Sequence, residues 1–152
     1  MIDRALIGQQ LAEFVFAVEE FQLRLFAKAI GECRPEYIDA AAAKAAGFRS
    51  ILAPPTFCYA ITLNPANPLD VPAFLGVDVK DTLHGEQAFS YQRPICAGDR
   101  VRVKRMVTDI YSRKAGALEF AVVESELSDA GSGVIYASTT TTLAIRHPEC
   151  AP

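Results

Sequence analysis

Apolar and polar residues alternate along the second half of the chain, which is typical of half-exposed strands. Val101 and Val103 alternate with charged residues, and the apolar positions then slip to Met106 and Ile110. This slip predicts a bulge near Arg105. Turn-forming residues at 112–116 and 128–133 separate the segments. The predicted strands span residues 84–93, 100–111, 118–127 and 134–145, and the last carries a Ser-Thr-Thr-Thr-Thr run that favours a strand face over a site.

The first half of the chain has the spacing of helices, apart from a short β-prone run at 14–18. Asp39 is the predicted N-cap of an alanine-rich helix over 40–46, and residues 55–63 are apolar enough to predict a central buried helix. A short helix is expected at 1–8 and a proline-rich loop at 64–72. Helices followed by an antiparallel meander predict an α+β fold with the helices on one face of the sheet. A further helix ends at Gly31, and its predicted apolar face consists of Phe21, Leu25, Phe26, Ala29 and Ile30.

The composition is that of a globular protein, and 152 residues predict a single domain over 1–152. The net charge of −3, with both signs intermixed, argues against a nucleic-acid surface. Four cysteines without a CxxC pair, together with only two histidines, indicate buried reduced thiols and no metal site. We see no signal peptide and no membrane-spanning run, so a cytoplasmic location is expected, and we expect no cofactor.

Several short motifs give the chain a resemblance to a known family. The motifs lie at residues 26–32, 35, 37, 39, 45–47, 53–57, 83–87, 93–94 and 97–99. In their order and spacing they resemble the N-terminal-type MaoC-like dehydratases, which are related to (R)-specific enoyl-CoA hydratases and to subunits of the mycobacterial-type (3R)-hydroxyacyl-ACP dehydratase.

The resemblance implies a hot-dog fold, in which a long curled antiparallel sheet wraps around a central buried helix. It also implies a subunit that pairs through its sheet edge, as a homodimer or as a heterodimer with another hot-dog subunit. The implied substrate is an acyl thioester of CoA or acyl carrier protein. The implied reaction is reversible addition of water to a 2-enoyl thioester, giving the (R)-3-hydroxyacyl thioester, which needs an acid, a base and a donor to the thioester carbonyl.

The stretch at 31–37 departs from the active members of that family, which carry Gly-Asp-x-Asn-Pro-x-His. Gly31 and Pro35 match this motif, but Glu32 stands at the Asp position, Arg34 at the Asn position and Tyr37 at the His position. A tyrosine with an ordinary pKa of about 10 is a poor base at neutral pH, although it can still donate a hydrogen bond. Glu32 and Tyr37 are therefore candidate catalytic residues in non-standard roles, or else structural groups of the loop.

His84 is a further candidate catalytic residue, because a titratable imidazole beside a flexible glycine and a carboxylate suits proton transfer. The alternative is that His84, Gly85 and Glu86 shape a substrate channel or a subunit interface. Arg34 is expected either to bind the phosphates of the thioester or to form a local ion pair with a neighbouring glutamate. Ala53, Thr56 and Phe57 are carried over from the family as lining of the acyl site. We assign no role to His147, which lies in the predicted tail.

Three functions follow from these residues. The first is a hydratase or dehydratase that uses Glu32, Tyr37 or His84. The second is a non-catalytic partner subunit or acyl-thioester-binding module, which the missing Asp and His favour. The third is a hot-dog thioesterase, which shares the fold and the substrate class.

Overall fold

A computed structural model describes residues 1–113 and 116–147. Strand β1 (Phe14–Ala17) is followed by four helices and then by four long strands. The helices are α1 (Glu20–Ala29), α2 (Ala40–Ala45), α3 (Phe57–Thr62) and α4 (Asp70–Leu75). The remaining strands are β2 (Thr82–Tyr91), β3 (Arg100–Arg113), β4 (Leu118–Asp129) and β5 (Ile135–Arg146), and single 3₁₀ turns lie at Arg4–Leu6, Pro35–Tyr37 and Val79–Asp81.

The five strands form one antiparallel sheet in the order β1-β3-β4-β5-β2. The register of β3 on β4 shifts between Val107 and Asp109, so the bulge lies at Thr108, three residues beyond its predicted position at Arg105. Regular alternation continues through Arg105 and turns its side chain to the buried face, where it is 2% exposed. The predicted α+β fold with an antiparallel sheet is confirmed. The predicted meander holds only for β3, β4 and β5, because β2 pairs with β5 at the edge of the sheet instead of with its neighbour in sequence, β3.

One face of the sheet packs against α3, which contacts β3, β4 and β5. The Phe57 ring packs edge-on against Phe16 and Phe26, with ring centroids 6.1 and 5.2 Å away. These rings belong to a cluster of buried residues under α1 and α3, and a second apolar cluster lies toward the other end of the sheet. The predicted central buried helix is therefore confirmed, although it is only six residues long.

Two expectations about the helices are wrong. The buried side of α1 is formed by Leu23 and Ala27, whereas Phe21 and Leu25 are 74% and 56% exposed. Helix α4 lies partly within the predicted loop, because Pro72 occupies its first turn, where a missing N–H breaks no helical hydrogen bond.

His147 was expected to have no role, and this is also wrong. Its side chain is buried, and Nε2 lies 2.7 Å from Glu119 Oε2. The backbone N–H of Ile2 donates to the same carboxylate oxygen at 2.9 Å. Glu119 thus connects residues from both ends of the described chain inside the fold.

The cysteines only partly match the expectation of buried thiols. Cys58 and Cys96 are buried, but Cys33 is exposed. The thiols of these three residues are free. Cys150 lies outside the described residues, as do part of the predicted turn at 112–116 and the tail beyond residue 147.

Strand β2 forms one edge of the sheet and pairs with β5 alone among the described strands. Its ten residues are a long edge, and unpaired N–H and C=O groups on such an edge can pair with another strand. Leu83 and Tyr91, near its two ends, are each 49% exposed. The outer side of β2 is therefore available to a partner.

Candidate functional site

The loop between α1 and α2 holds the first group of candidate residues. Gly31 takes a left-handed conformation (φ +72°), which ends α1, and the Glu32 N–H then donates to Ala27 O at 2.9 Å. The Pro35–Tyr37 turn follows because proline suits the first position of a helical turn. These constraints hold Glu32 beside Arg34 on one short segment.

Glu32 and Arg34 form a closed ion pair. The Arg34 Nη2–Glu32 Oε2 distance is 2.8 Å, and both Nε and the backbone N–H of Arg34 donate to Oε1. Hydrogen bonds from Arg34 lower the pKa of Glu32 to about 2. At neutral pH this carboxylate is therefore ionised, so it has no proton to give and is a weak base.

Tyr37 packs beneath this ion pair. Its side chain is buried, and the Arg34 guanidinium carbon lies 4.7 Å from the centre of its ring. Of the two alternatives for Arg34, phosphate binding or a local ion pair with a glutamate, the structure shows the ion pair, with Glu32. The guanidinium is thus engaged with Glu32 on one side and with the Tyr37 ring on the other.

Tyr37 also lines a cavity of about 290 Å³, here called the Tyr37 cavity. Ala53 enters the wall because its N–H donates to Ile95 O at 2.8 Å, which ties the start of α3 to the chain after β2. The Tyr91 hydroxyl, at the end of β2, donates to Pro55 O at 3.0 Å, and burial raises the pKa of Tyr91 to about 12. The wall is completed by Leu52, Cys58, Gln92, Arg93 and Pro94.

His84 lies near the other end of β2, beside a bulge. The register of β2 on β5 shifts between His84 and Glu86, so Gly85 is the bulged residue. A Cβ on Gly85 would lie 3.0 Å from the backbone oxygen of Thr142, a contact tighter than ordinary packing allows. Glycine is needed here for close approach of the two strands, and the bulge sets the direction of the neighbouring imidazole.

The His84 imidazole pairs with Tyr59 of α3. Nδ1 lies 3.2 Å from the Tyr59 hydroxyl, and the rings meet edge to face with centroids 4.9 Å apart. Burial raises the pKa of Tyr59, so its hydroxyl keeps its proton and can donate to the ring nitrogen. The Tyr59 hydroxyl can hold the imidazole in one orientation, and an imidazole held in this way can accept a proton from water or substrate.

His84 and Tyr59 stand at a second cavity of about 350 Å³, here called the His84 cavity. Its walls are mainly apolar, and its inner end carries Arg105, Ser125 and Thr141. The apolar wall consists of Leu63, Pro68, Leu69, Val71, Pro72, Val79, Val123 and Leu143. The space is amphiphilic, with a mainly apolar wall and polar side chains contributed by α3 and by strands β2 to β5.

The structure does not bring the sequence-predicted residues into one site. Tyr37 and Ala53 share one cavity, whereas His84 lines the other. Thr56 is exposed just before α3, and the Phe57 ring lies in the core rather than in either wall. Gly85 and Glu86 are exposed on the edge strand, and neither Glu32 nor Arg34 lines either cavity.

Tyr59 and Arg105 line the His84 cavity but are not among the candidate residues predicted from the sequence. The signal for Arg105 was present, because Val101, Val103 and Arg105 share one parity and this parity belongs to the buried face. The signal for Tyr59 was weaker, because it consists of one phenol among the mainly apolar residues of a predicted buried helix.

In the described part of the chain, no group of three or more His, Cys, Asp or Glu side chains could hold a metal ion. Across the same residues, the helices are too short or too polar to span a membrane.

Comparison with known sequences identifies a family. Residues 5–137 match the model of the FAS1-like dehydratase domain region. A UPF0336 protein of Streptomyces coelicolor is 36% identical over 140 residues, which cover 91% of this chain and 92% of that protein.

Solved structures show the same fold. A chain of the HadBC (3R-hydroxyacyl-ACP dehydratase) complex from Mycobacterium tuberculosis is similar with a TM-score of 0.76 and 23% identity, over 91% of this chain and 96% of that one. A MaoC-like dehydratase is similar with a TM-score of 0.80 and 26% identity, over 95% of this chain and 43% of that one. The fold is thus the hot-dog fold of these dehydratases. The chain belongs to the family of FAS1-like dehydratase domains, and it shares its fold with MaoC-like dehydratases.

Proposed function

We propose that this chain is an acyl-thioester-binding hot-dog subunit that acts with a second hot-dog subunit in interconverting (R)-3-hydroxyacyl and 2-enoyl thioesters. The thioester is carried by CoA or by acyl carrier protein. The observation that carries the proposal is the position of the two cavities, which flank α3 and reach opposite ends of the edge strand β2.

The distance along β2 separates the two cavities within one subunit. His84 and Tyr91 are seven residues apart, which corresponds to roughly 20 Å of strand. A thioester carbonyl and its adjacent alkene are far shorter than this distance. Tyr37 and His84 of the same subunit therefore cannot serve the same reacting carbons.

Pairing of two subunits through β2 removes this separation. Two copies related by a two-fold axis bring their edge strands together antiparallel, so that each end of one strand meets the opposite end of the other. With pairing centred near Gln87 and Ala88, His84 of one subunit lies opposite Tyr91 of its partner, about 5 Å away across the strands. The His84 cavity of one subunit then adjoins the Tyr37 cavity of the other, and a continuous channel crosses the interface.

The catalytic acid and base are best supplied by a different subunit. Glu32 is ionised and held by Arg34, and Tyr37 is covered by the same guanidinium. Glu32 therefore has no proton to donate at neutral pH, and Tyr37 does not replace the histidine of the motif as a base. A partner that keeps Gly-Asp-x-Asn-Pro-x-His would place its own Asp and His at the shared channel, and the similar HadBC protein is itself a complex of two kinds of subunit.

Reconstitution with such a partner tests the proposal. We expect the pure chain to leave the absorbance of 2-enoyl-CoA or 2-enoyl-carrier-protein nearly constant. Addition of a hot-dog subunit with an intact Asp and His should give rapid loss of that absorbance, and the two chains should co-elute. An equally fast reaction by the chain alone would overturn the assignment of catalysis to the partner.

The His84–Tyr59 contact supports a second candidate, which is hydration by the chain itself. His84 would act as the base toward water, and the Tyr59 hydroxyl would hold the imidazole in place. This candidate predicts slow turnover by the pure homodimer that His84→Gln abolishes and Tyr37→Phe leaves unchanged. Equal turnover by wild type and His84→Gln would rule it out.

A further inference from the structure

A row of polar side chains crosses the buried face of the sheet between the two apolar clusters. Arg105 of β3 lies opposite Ser125 of β4, which lies opposite Thr139 of β5. All three are at most 3% exposed. On one side the row is bordered by Val103 and Leu127, and the next buried row on the other side begins with Val107 and Val123.

The polar row is only partly hydrogen-bonded within the protein. Arg105 donates to both carboxylate oxygens of Asp70, at 2.7 and 2.6 Å, but its Nε–H has no acceptor among the described residues. The hydroxyl of Thr139 is likewise buried without a partner in that part of the chain. A buried polar group without a partner costs stability, which calls for an explanation such as a ligand.

Two members of this row line the His84 cavity. Arg105 and Ser125 both reach its inner end, and the Ser125 hydroxyl makes no hydrogen bond to another described residue. Thr141, beside them, donates to Gln87 Oε1 at 2.8 Å and keeps its lone pairs free to accept. A plain hydrocarbon chain that filled the cavity would leave these polar groups unsatisfied.

We propose that the inner end of the His84 cavity recognises an uncharged oxygen, a hydroxyl or a keto group, on the acyl chain at a distance from the thioester. The proposal rests on the proposed function, because it places the thioester group of the substrate at the exposed His84 and the acyl chain of the substrate inside the His84 cavity. An oxygen at the inner end would accept from the Ser125 hydroxyl, and a substrate hydroxyl would also donate to Thr141 Oγ1. The substrate class is therefore an oxygenated acyl chain rather than a plain fatty acyl chain.

The charge around Arg105 decides against a carboxylate at this position. Asp70 already neutralises the guanidinium, with Asn64 Nδ2 donating to the same carboxylate at 3.1 Å. A second carboxylate would lose its water shell and face the charge of Asp70. An uncharged oxygen satisfies the Ser125 hydroxyl without adding a buried charge.

Calorimetric titration with saturated thioesters tests this inference without any turnover. The probes are N-acetylcysteamine thioesters of fatty acids from hexanoic to decanoic acid, each compared with its ω-hydroxy counterpart. For the chain length that reaches the inner end, we expect the hydroxylated probe to bind about tenfold tighter or more, because the unmodified chain leaves buried donors unpaired. Saturated probes cannot be hydrated, so this readout is separate from the enoyl assay and from any catalytic partner.

Three variants locate the recognition. Ser125→Ala and Thr141→Val, which removes the hydroxyl while retaining a β-branched side chain, should each reduce the preference several-fold. The matched control is Ser138→Ala, an exposed serine on β5, which should leave the preference unchanged. Circular dichroism of each variant establishes that it is folded.

The inference is overturned by equal binding of the two probes at every length or by no binding of either probe to folded protein. It is also overturned by a preference that survives both Ser125→Ala and Thr141→Val. Failure of the reconstituted enoyl assay together with a retained preference for the hydroxylated probe would instead refute only the proposed reaction.

Discussion

Removal of the Asp70 carboxylate should strongly destabilise the fold, because it leaves a charged guanidinium buried. The Arg105 side chain is 2% exposed, and Asp70 accepts from both of its terminal nitrogens. Breaking a buried pair by removing one partner costs about 3–5 kcal/mol. For a chain of this length, 1 kcal/mol corresponds to about 2–4 °C, so Asp70→Ala should lower Tm by roughly 6–20 °C.

The pair also predicts how stability depends on pH. Burial raises the pKa of Asp70, but hydrogen bonds from Arg105 and Asn64 outweigh this effect and leave the pKa below its usual value. Because the pKa is lowered by folding, the stabilisation is fully present above the unfolded pKa of about 3.9 and is lost as the pH falls through the lower folded pKa. Asp70→Asn should therefore reduce the loss of folding stability that accompanies this fall in pH.

Thermal and urea unfolding followed by circular dichroism measure both effects. The matched control is Glu20→Ala, which breaks the exposed pair with Arg24 and should cost less than about 1 kcal/mol. The double variant Asp70→Leu with Arg105→Met replaces both charges by apolar groups and should recover most of the loss. A cost for Asp70→Ala as small as that of the exposed control would refute the reasoning, since it would mean that Arg105 finds water or another acceptor easily.

Three more predictions concern the edge strand and the thiols. Gly85→Ala should destabilise the protein by about 1–3 kcal/mol in urea unfolding, because its Cβ meets the Thr142 carbonyl; an unchanged midpoint would contradict the close approach. Ala88→Lys on the exposed face of β2 should shift the protein toward monomer in sedimentation, and an unaltered oligomer would argue against pairing through this edge. Iodoacetamide near neutral pH should modify exposed Cys33 before buried Cys58, whose pKa burial raises to about 11; peptide mass spectrometry distinguishes them, and faster labelling of Cys58 would contradict its burial.

Local pattern identified most of the elements of this fold, and its errors have physical causes. The caps at Asp39 and Gly31 were predictable because they depend on a few neighbouring residues. Helix α4 was missed because Pro72 was interpreted as a breaker, although proline is harmless in a first turn. The buried face of α1 was misassigned because tertiary packing, rather than the apolar residues on the helix itself, selects which side faces the core.

The candidate site was predictable as a set of segments but not as an arrangement. The loop at 32–37 and the segment around His84 were both identified from motifs, and both border cavities. Their separation along β2 depends on the register with β5 and on the bulge at Gly85, which are long-range properties of the sheet. The closed Glu32–Arg34 pair could be anticipated from spacing alone, whereas the contact between Tyr59 and His84 joins residues 25 positions apart.

Helix α3 is a common wall of the two cavities, and adjacent residues face different spaces, with Cys58 in one and Tyr59 in the other. A six-residue helix is too short to bend, so a larger side chain at one position displaces the whole element. Evolution therefore cannot adjust the two cavities independently. Substitutions at Cys58 and Tyr59 should therefore occur together in proteins that evolve from this sequence. A library that randomises both positions together should yield more folded variants with altered substrate preference than libraries that randomise either position alone.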